Sequence, residues 1–170
     1  QFEGMLSLAD YDDGDADFWE RADHFAFLSA VDWQEDNQAQ LEAALQKRPR
    51  PVHIANPDVT SPQSIFYAAE PGYWAARLMQ TCDVPVHWYG KPHQPAYNLA
   101  FDALKTVTGR DIPRDRIGMV GDSLHTDILG GGAAGIQSIL LTSYGLFREG
   151  GAEQAIKTSG ISPDWIVDKL

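Results

Sequence analysis

Two aspartates and a lysine stand where a phosphate or a metal ion could be bound. Asp122 and Asp127 lie in the segment GDSLHTD (121–127), directly after the apolar residues 117–120. Lys91 stands in a Gly-Lys-Pro tripeptide that follows another apolar run. Carboxylates at the end of a buried strand can hold a hard cation such as Mg²⁺. A fixed lysine can neutralise a phosphate dianion, so the spacing indicates phosphoryl chemistry.

The elements that would position these side chains alternate between strands and helices. Apolar runs of strand length recur between segments with apolar residues at helical spacing, which is typical of an α/β fold. Strands are predicted at residues 24–28, 52–55, 84–89, 117–120, 137–142 and 165–167, and helices at 35–47, from 71, from 95 to 109, toward 135, and at 152–157.

Composition excludes several classes of partner. The chain has 170 residues, 44% of them hydrophobic, so it can bury a core. A net charge of −11, with one basic cluster at residues 47–50, argues against nucleic acid and anionic membranes as partners. No apolar run reaches the length of a membrane span. The single cysteine, Cys82, favours a reducing compartment and hence the cytoplasm. Oligomeric state stays open, and a homo-oligomer is among the assemblies allowed.

The segment from Gly121 to Gly130, continued by Ala-Ala-Gly at 133–135, resembles the fourth motif of the haloacid dehalogenase (HAD) superfamily in its NagD-like branch. The tripeptide around Lys91 is similar to the third motif. The resemblance implies a Mg²⁺-dependent phosphatase that acts on a small phosphorylated metabolite through an aspartyl-phosphate. It also implies that Lys91, Asp122 and Asp127 are catalytic, and that the two aspartates hold the metal.

The segment Asn56-Pro57-Asp58 resembles part of the cap domain of this branch, which borders the substrate pocket. The resemblance therefore implies that Asn56 and Asp58, together with Lys91, bind substrate. The expected architecture is a HAD-like Rossmannoid parallel sheet with part of an α/β cap. Residues 1–84 are interpreted as the cap-like region, and residues 85–170 as the C-terminal part of the core.

The first motif of the family, which carries the aspartate nucleophile, is absent from the pattern. The acidic stretch DYDDGD (10–15) follows a poor strand and lacks glycine after its second aspartate, so it is interpreted as a solvated turn. We therefore expect a missing N-terminal segment of the same protein to supply the nucleophile, and the chain alone to be inactive with an unpaired sheet edge. The alternative is a non-catalytic HAD-like protein that binds Mg²⁺ or a phosphorylated ligand.

Each motif also has an ordinary interpretation. Asp122 could be a turn residue, Asp127 an acidic residue in the first turn of a helix, and Lys91 a surface lysine. Asn56 could belong to a plain Asn-Pro turn. The combination of the lysine with the two aspartates is what favours the functional interpretation over these alternatives.

Overall fold

A computed structural model describes residues 17–62 and 67–169, and the acidic stretch 10–15 lies outside them. The α/β fold is confirmed. The helices are Phe18–Arg21 (α1), Glu35–Lys47 (α2), Pro71–Thr81 (α3), Gln94–Thr108 (α4), Leu129–Ala133 (α5) and Ala152–Ser159 (α6). The strands are Phe25–Phe27 (β1), Val52–Ile54 (β2), Thr60–Pro62 (β3), Tyr67–Ala69 (β4), Val86–Trp88 (β5), Gly118–Gly121 (β6), Gln137–Leu141 (β7) and Trp165–Val167 (β8).

The first sheet is parallel, with strand order β1-β2-β5. One face of its strands packs with α2 and α3 into an apolar core, because alternate strand residues point to the same side. The buried members of this core include Leu45, Val52, Ile54, Trp74 and Leu78. This packing fixes the ends of β2 and β5, from which the loops toward the candidate site emerge.

Two helices follow the predicted boundaries because their ends carry strong local signals. At the start of α2, the backbone N–H of Gln34 donates to Asn37 Oδ1 at 2.9 Å, as part of a reciprocal capping box. At the end of α4, Gly109 adopts φ +70°, the left-handed conformation that terminates many helices. Pro95 lies in the first turn of α4, where its missing N–H costs nothing.

The second sheet is also parallel, with order β6-β7-β8. Among the described residues β6 pairs only with β7, so its other side is an open edge, and Val120 is 37% exposed there. A groove of about 330 Å³ runs between this edge and α4. Its lining is mainly apolar and includes Tyr97, Phe101, Leu104 and Met119.

Several features were not predicted from the sequence. β3 and β4 form an antiparallel pair outside both parallel sheets, and its strands are too short to show a hydrophobic alternation. A π-helical turn, Leu124–Ile128, precedes α5. The domain division between residues 84 and 85 stays a prediction; β5, which follows it in the chain, pairs with β2 in the first sheet. Within the described ranges, no helix has the length and apolar character needed to cross a bilayer.

The face of the first sheet opposite α2 and α3 carries a ladder of three histidines. The rings of His24 and His53 stack at 5.2 Å between centroids, and those of His53 and His87 at 5.0 Å. Nε2 of His53 lies 2.9 Å from Nδ1 of His24, and Nδ1 of His53 lies 3.0 Å from the hydroxyl of Tyr89. Desolvation and the neighbouring charges of His87 and His24 lower the pKa of His53.

This ladder makes stability depend on pH. Because the folded state lowers the pKa of His53, the unfolded chain binds more protons, and stability falls as the pH drops from about 7 to about 5. The loss should stay below about 1 kcal/mol, since solvent screens a half-exposed ring. Urea unfolding at both pH values measures it. His53→Phe should reduce the difference in free energy of unfolding between the two pH values, and the exposed control His125→Gln should keep that difference. An unchanged difference in His53→Phe would contradict the assignment of the pH dependence to His53.

Candidate active site

The loop after β6 folds back on the carboxylate of Asp127. The backbone N–H groups of Asp127 and Ile128 both donate to the carbonyl oxygen of Ser123 at 3.1 Å, which produces the π-helical turn. Such turns often mark functional positions in helices. Asp127 Oδ2 accepts hydrogen bonds from the backbone N–H groups of Asp122 at 3.1 Å and Ser123 at 3.2 Å. Gly121 must be glycine here, because a Cβ would overlap the Asp127 side chain.

The other oxygen of this carboxylate binds the lysine. Lys91 Nζ lies 2.5 Å from Asp127 Oδ1. The side chain of Asp127 is 3% exposed, whereas that of Lys91 is 45% exposed and keeps one side open to solvent. A carboxylate this buried must be paired to be tolerated, so Asp127 fixes both the loop amides and the position of the lysine. The structure thus brings together two residues that lie far apart in the sequence.

Tyr97 on α4 contacts the π-helical turn that carries Asp127. Its hydroxyl lies 3.4 Å from the carbonyl oxygen of Thr126 and 3.5 Å from that of Asp127. Burial, together with the charge of Asp127, raises the pKa of Tyr97 to about 12, so the phenol stays neutral and can donate. Gly130 allows the close approach, since a Cβ there would overlap the phenol ring.

The Asn-Pro-Asp loop after β2 packs directly against the lysine loop. A Cβ on Gly90 would overlap Pro57 Cδ and the carbonyl oxygen of Ala55. A Cβ on Gly72 would overlap the carbonyl oxygen of Pro57, and the Gly72 N–H donates to the Asp58 carbonyl at 3.0 Å. The loop is therefore held between the start of α3 and the residue preceding Lys91.

The amide of Asn56 organises this loop. Its Oδ1 accepts from the backbone N–H of Asp58 at 3.1 Å, and its Nδ2 donates to Glu70 Oε2 at 3.1 Å. Ser61 Oγ donates to Glu70 Oε1 at 2.5 Å. Both ends of the Asn56 side chain are thus engaged within the loop, and its predicted role in substrate binding stays a prediction.

Asp58 faces the charged centre of the site. Burial raises the pKa of its carboxyl, Lys91 opposes this effect, and the carboxylates of Asp127, Glu70 and Asp122 reinforce it. The side chain is half-buried. Asp58 therefore lies close enough to Lys91 to feel its charge, and its role in substrate binding stays a prediction.

Asp122 supplies a carboxylate that no described residue engages. No hydrogen bond or ion pair from the residues that the structure describes reaches its carboxylate oxygens. Gly145 lies against it with φ +59°, and a Cβ there would overlap the carboxylate.

No set of three or more His, Cys, Asp or Glu side chains within residues 17–62 and 67–169 could hold a metal by itself. Asp122 nevertheless suits Mg²⁺, which takes few protein carboxylates and completes its shell with water and substrate oxygens. The role of Asp127 as a second metal ligand stays a prediction.

The predicted residues Lys91, Asp122, Asp127 and Asp58 gather at one site. The sequence interpretation missed Tyr97, Gly145 and Glu70. Tyr97 occupies an apolar position of its helix, and nothing local marks Gly145 or Glu70 as part of a site. Their contacts depend on chain segments that meet only in the fold.

The Lys91–Asp127 pair should be energetically coupled. Asp127→Asn replaces the buried charged acceptor of the two loop amides and the lysine with a neutral amide, and should lower the free energy of unfolding by about 2 kcal/mol. Combining it with Lys91→Met should cost about 1–2 kcal/mol less than the sum of the single changes, which a double-mutant cycle by urea unfolding measures.

The exposed pair Lys105–Asp111, at 3.0 Å, provides the control. Asp111→Asn should cost less than about 1 kcal/mol. Additive effects at Lys91 and Asp127 would show that the pair does not stabilise the fold.

Comparisons with known proteins agree with this geometry. Residues 88–170 match the Hydrolase-like family model, described as HAD-hydrolase-like. No curated protein gives a significant match. A possible sugar phosphatase of the HAD superfamily from Cytophaga hutchinsonii superposes with TM-score 0.73 and 28% identity, covering 91% of this chain and 54% of that chain.

Two more distant structures share the fold. The p-nitrophenyl phosphatase from Archaeoglobus fulgidus has TM-score 0.72 and 21% identity, over 89% of this chain and 55% of that chain. A haloacid dehalogenase-like hydrolase from Brucella suis has TM-score 0.72 and 20% identity, and the match covers 99% of this chain and 60% of that chain. The chain thus spans a little over half the length of the structures it matches. The resemblance carried by Lys91 and residues 121–130 is confirmed, and residues 88–170 are identified as a HAD-like segment.

Proposed function

We propose that the protein is a phosphatase of this superfamily that hydrolyses a small phosphorylated metabolite. The observation that carries the proposal is the placement of Lys91 Nζ, held 2.5 Å from buried Asp127 beside the unengaged carboxylate of Asp122. A fixed cation next to a free carboxylate can receive a phosphoryl group and a Mg²⁺ ion together. The similar structures of a possible sugar phosphatase and a p-nitrophenyl phosphatase support the same class of reaction.

Lys91 would bind a nonbridging phosphoryl oxygen and neutralise the charge that develops in the transition state. Asp127 holds the lysine in place while the substrate arrives. Asp122 would hold Mg²⁺, with Asp127 as the second predicted ligand. The ion, when bound, supplies further positive charge to the phosphoryl oxygens.

The nucleophile would come from an N-terminal segment of the same protein. In the proposed reaction, an aspartate oxygen attacks phosphorus, and a second aspartate of the same segment protonates the departing alcohol. That aspartate then takes a proton from the water that hydrolyses the aspartyl-phosphate. The open edge of β6 and the apolar groove beside α4 offer such a segment backbone hydrogen-bonding groups and a surface to cover. A cytoplasmic location, favoured by the single cysteine, belongs to the same proposal.

The proposal predicts Mg²⁺-dependent hydrolysis of a generic aryl phosphate by the complete natural polypeptide. Lys91→Met should lower kcat/KM by at least about 100-fold, because a charge-stabilising group of the transition state is lost. Lys105→Met, an exposed lysine on α4, serves as the matched control and should keep the wild-type rate. Steady-state release of the aryl alcohol, with and without Mg²⁺, measures these rates.

The same assay separates the alternatives. Binding of Mg²⁺ or phosphate without turnover over a broad panel of esters would favour the non-catalytic protein. Full activity of residues 1–170 on their own would contradict the proposal that another segment supplies the nucleophile.

Gly145 offers a test of Asp122. Gly145→Ala places a methyl group on the Asp122 carboxylate and should lower kcat/KM by at least about tenfold by displacing it. Gly109→Ala is the matched control, since Gly109 has a similar φ of +70° but nothing within 4 Å of the added carbon. Both variants carry the backbone strain of about 1 kcal/mol, and only the first should lose activity. Equal activity in the two variants would argue against a catalytic role for Asp122.

A further inference from the structure

The Asn-Pro-Asp loop (residues 56–58) brings the acidic residue Asp58 next to the loop that carries Lys91. Pro57 lies against Gly90, so Asp58 stands one residue beyond the contact between the two loops. Gly72 and Glu70 flank the loop on its other side, with the Glu70 N–H donating to the Val59 carbonyl at 3.0 Å. These contacts fix where the loop stands relative to the lysine.

The acidic side chains beside this loop form no ion pair with the residues that the structure describes. Glu70 receives hydrogen bonds from the neutral groups of Asn56 and Ser61. Within the described ranges, no lysine, arginine or histidine forms an ion pair with Asp58 or Glu70. The nearby cation, Lys91, is already paired with Asp127.

From this charge distribution we infer the chemical class of the leaving group, an inference that rests on the proposed function. The alcohol released from the phosphate ester carries hydroxyl groups or a positive charge, and no anionic group besides the phosphate. Asp58 is the specificity-determining residue.

The physical reason is that the described residues around Asp58 offer no free counter-ion for a second anionic group on the substrate. A hydroxyl group can donate to the Asp58 carboxylate, and an ammonium group can pair with it. A carboxylate at the same place would be repelled by Asp58 and Glu70 and would leave water without gaining a donor. Burial raises the pKa of the Asp58 carboxyl, and the nearby carboxylates of Asp127, Glu70 and Asp122 act in the same direction, so a further anion there would add to existing repulsion.

Three esters that carry different second groups test this inference on the complete protein. Glycerol 3-phosphate carries hydroxyl groups, 3-phosphoglycerate has a carboxylate in place of the hydroxymethyl group, and ethanolamine phosphate, which is shorter by one carbon, carries an ammonium group. We expect kcat/KM for the glycerol and ethanolamine esters to exceed that for phosphoglycerate by at least about tenfold.

Asp58→Asn removes the charge and keeps the shape of the side chain. Because the backbone of Asp58, and not its carboxylate, makes the hydrogen bonds that hold this residue in the loop, the variant should fold. It should raise kcat/KM for phosphoglycerate by at least about threefold and reduce the preference for glycerol 3-phosphate over phosphoglycerate, because the charge that distinguishes the two esters is removed. Asp83→Asn, an exposed acid after α3, is the matched control and should leave all three rates unchanged.

The outcomes are distinct. Hydrolysis of the esters without discrimination, or with preference for phosphoglycerate, would overturn the inference and leave the proposed phosphatase standing. A parallel fall in all three rates in Asp58→Asn would show a merely structural role and overturn the inference as well. No hydrolysis of these esters or of an aryl phosphate contradicts the proposed function itself, and the inference falls with it.

Discussion

The arrangement of the site depends on one buried carboxylate. Asp127 accepts two backbone N–H groups with one oxygen and the Lys91 ammonium with the other. Without it, the loop after β6 would lose the acceptor that closes it, and the lysine would lose the charge that orients it. The π-helical turn is the local consequence, because the backbone must deviate from α-helical geometry to aim this side chain back at its own loop.

Close approach through glycine is the second constraint. At Gly90, Gly121 and Gly145, an added Cβ would overlap a neighbouring loop or a carboxylate of the site. Each of these positions brings backbone from one segment into contact with side chains from another. Side chains of ordinary size would push the three loops apart and separate Lys91 from the acidic residues. The glycines thus serve the site by their lack of a side chain as much as by conformational freedom.

Local signals account for what the sequence could predict. Apolar spacing, the proline in the first turn of α4 and Gly109 at its end define that helix within a residue, and the apolar residues 117–120 locate β6 within one residue. The pairing of Lys91 with Asp127 and the position of Asp58 needed the resemblance to a family, because no local pattern shows which loops meet. The β3–β4 pair and Gly145 were missed for the same reason: strands of three residues show no period, and the contact with Asp122 joins segments far apart in the chain.

The position of Lys91 in the chain has a mechanical consequence. The lysine follows β5, a strand of the first sheet, whereas Asp127 follows β6, a strand of the second. A salt bridge that joins the two sheets makes the electrostatics of the site sensitive to their separation. Any rotation of the first sheet away from the second would draw the ammonium group out of the site and leave Asp127 buried without its counter-ion. The ion pair therefore depends on the spacing of the two sheets, and the positive charge needed to bind a phosphate is in place only while the ends of β5 and β6 lie side by side.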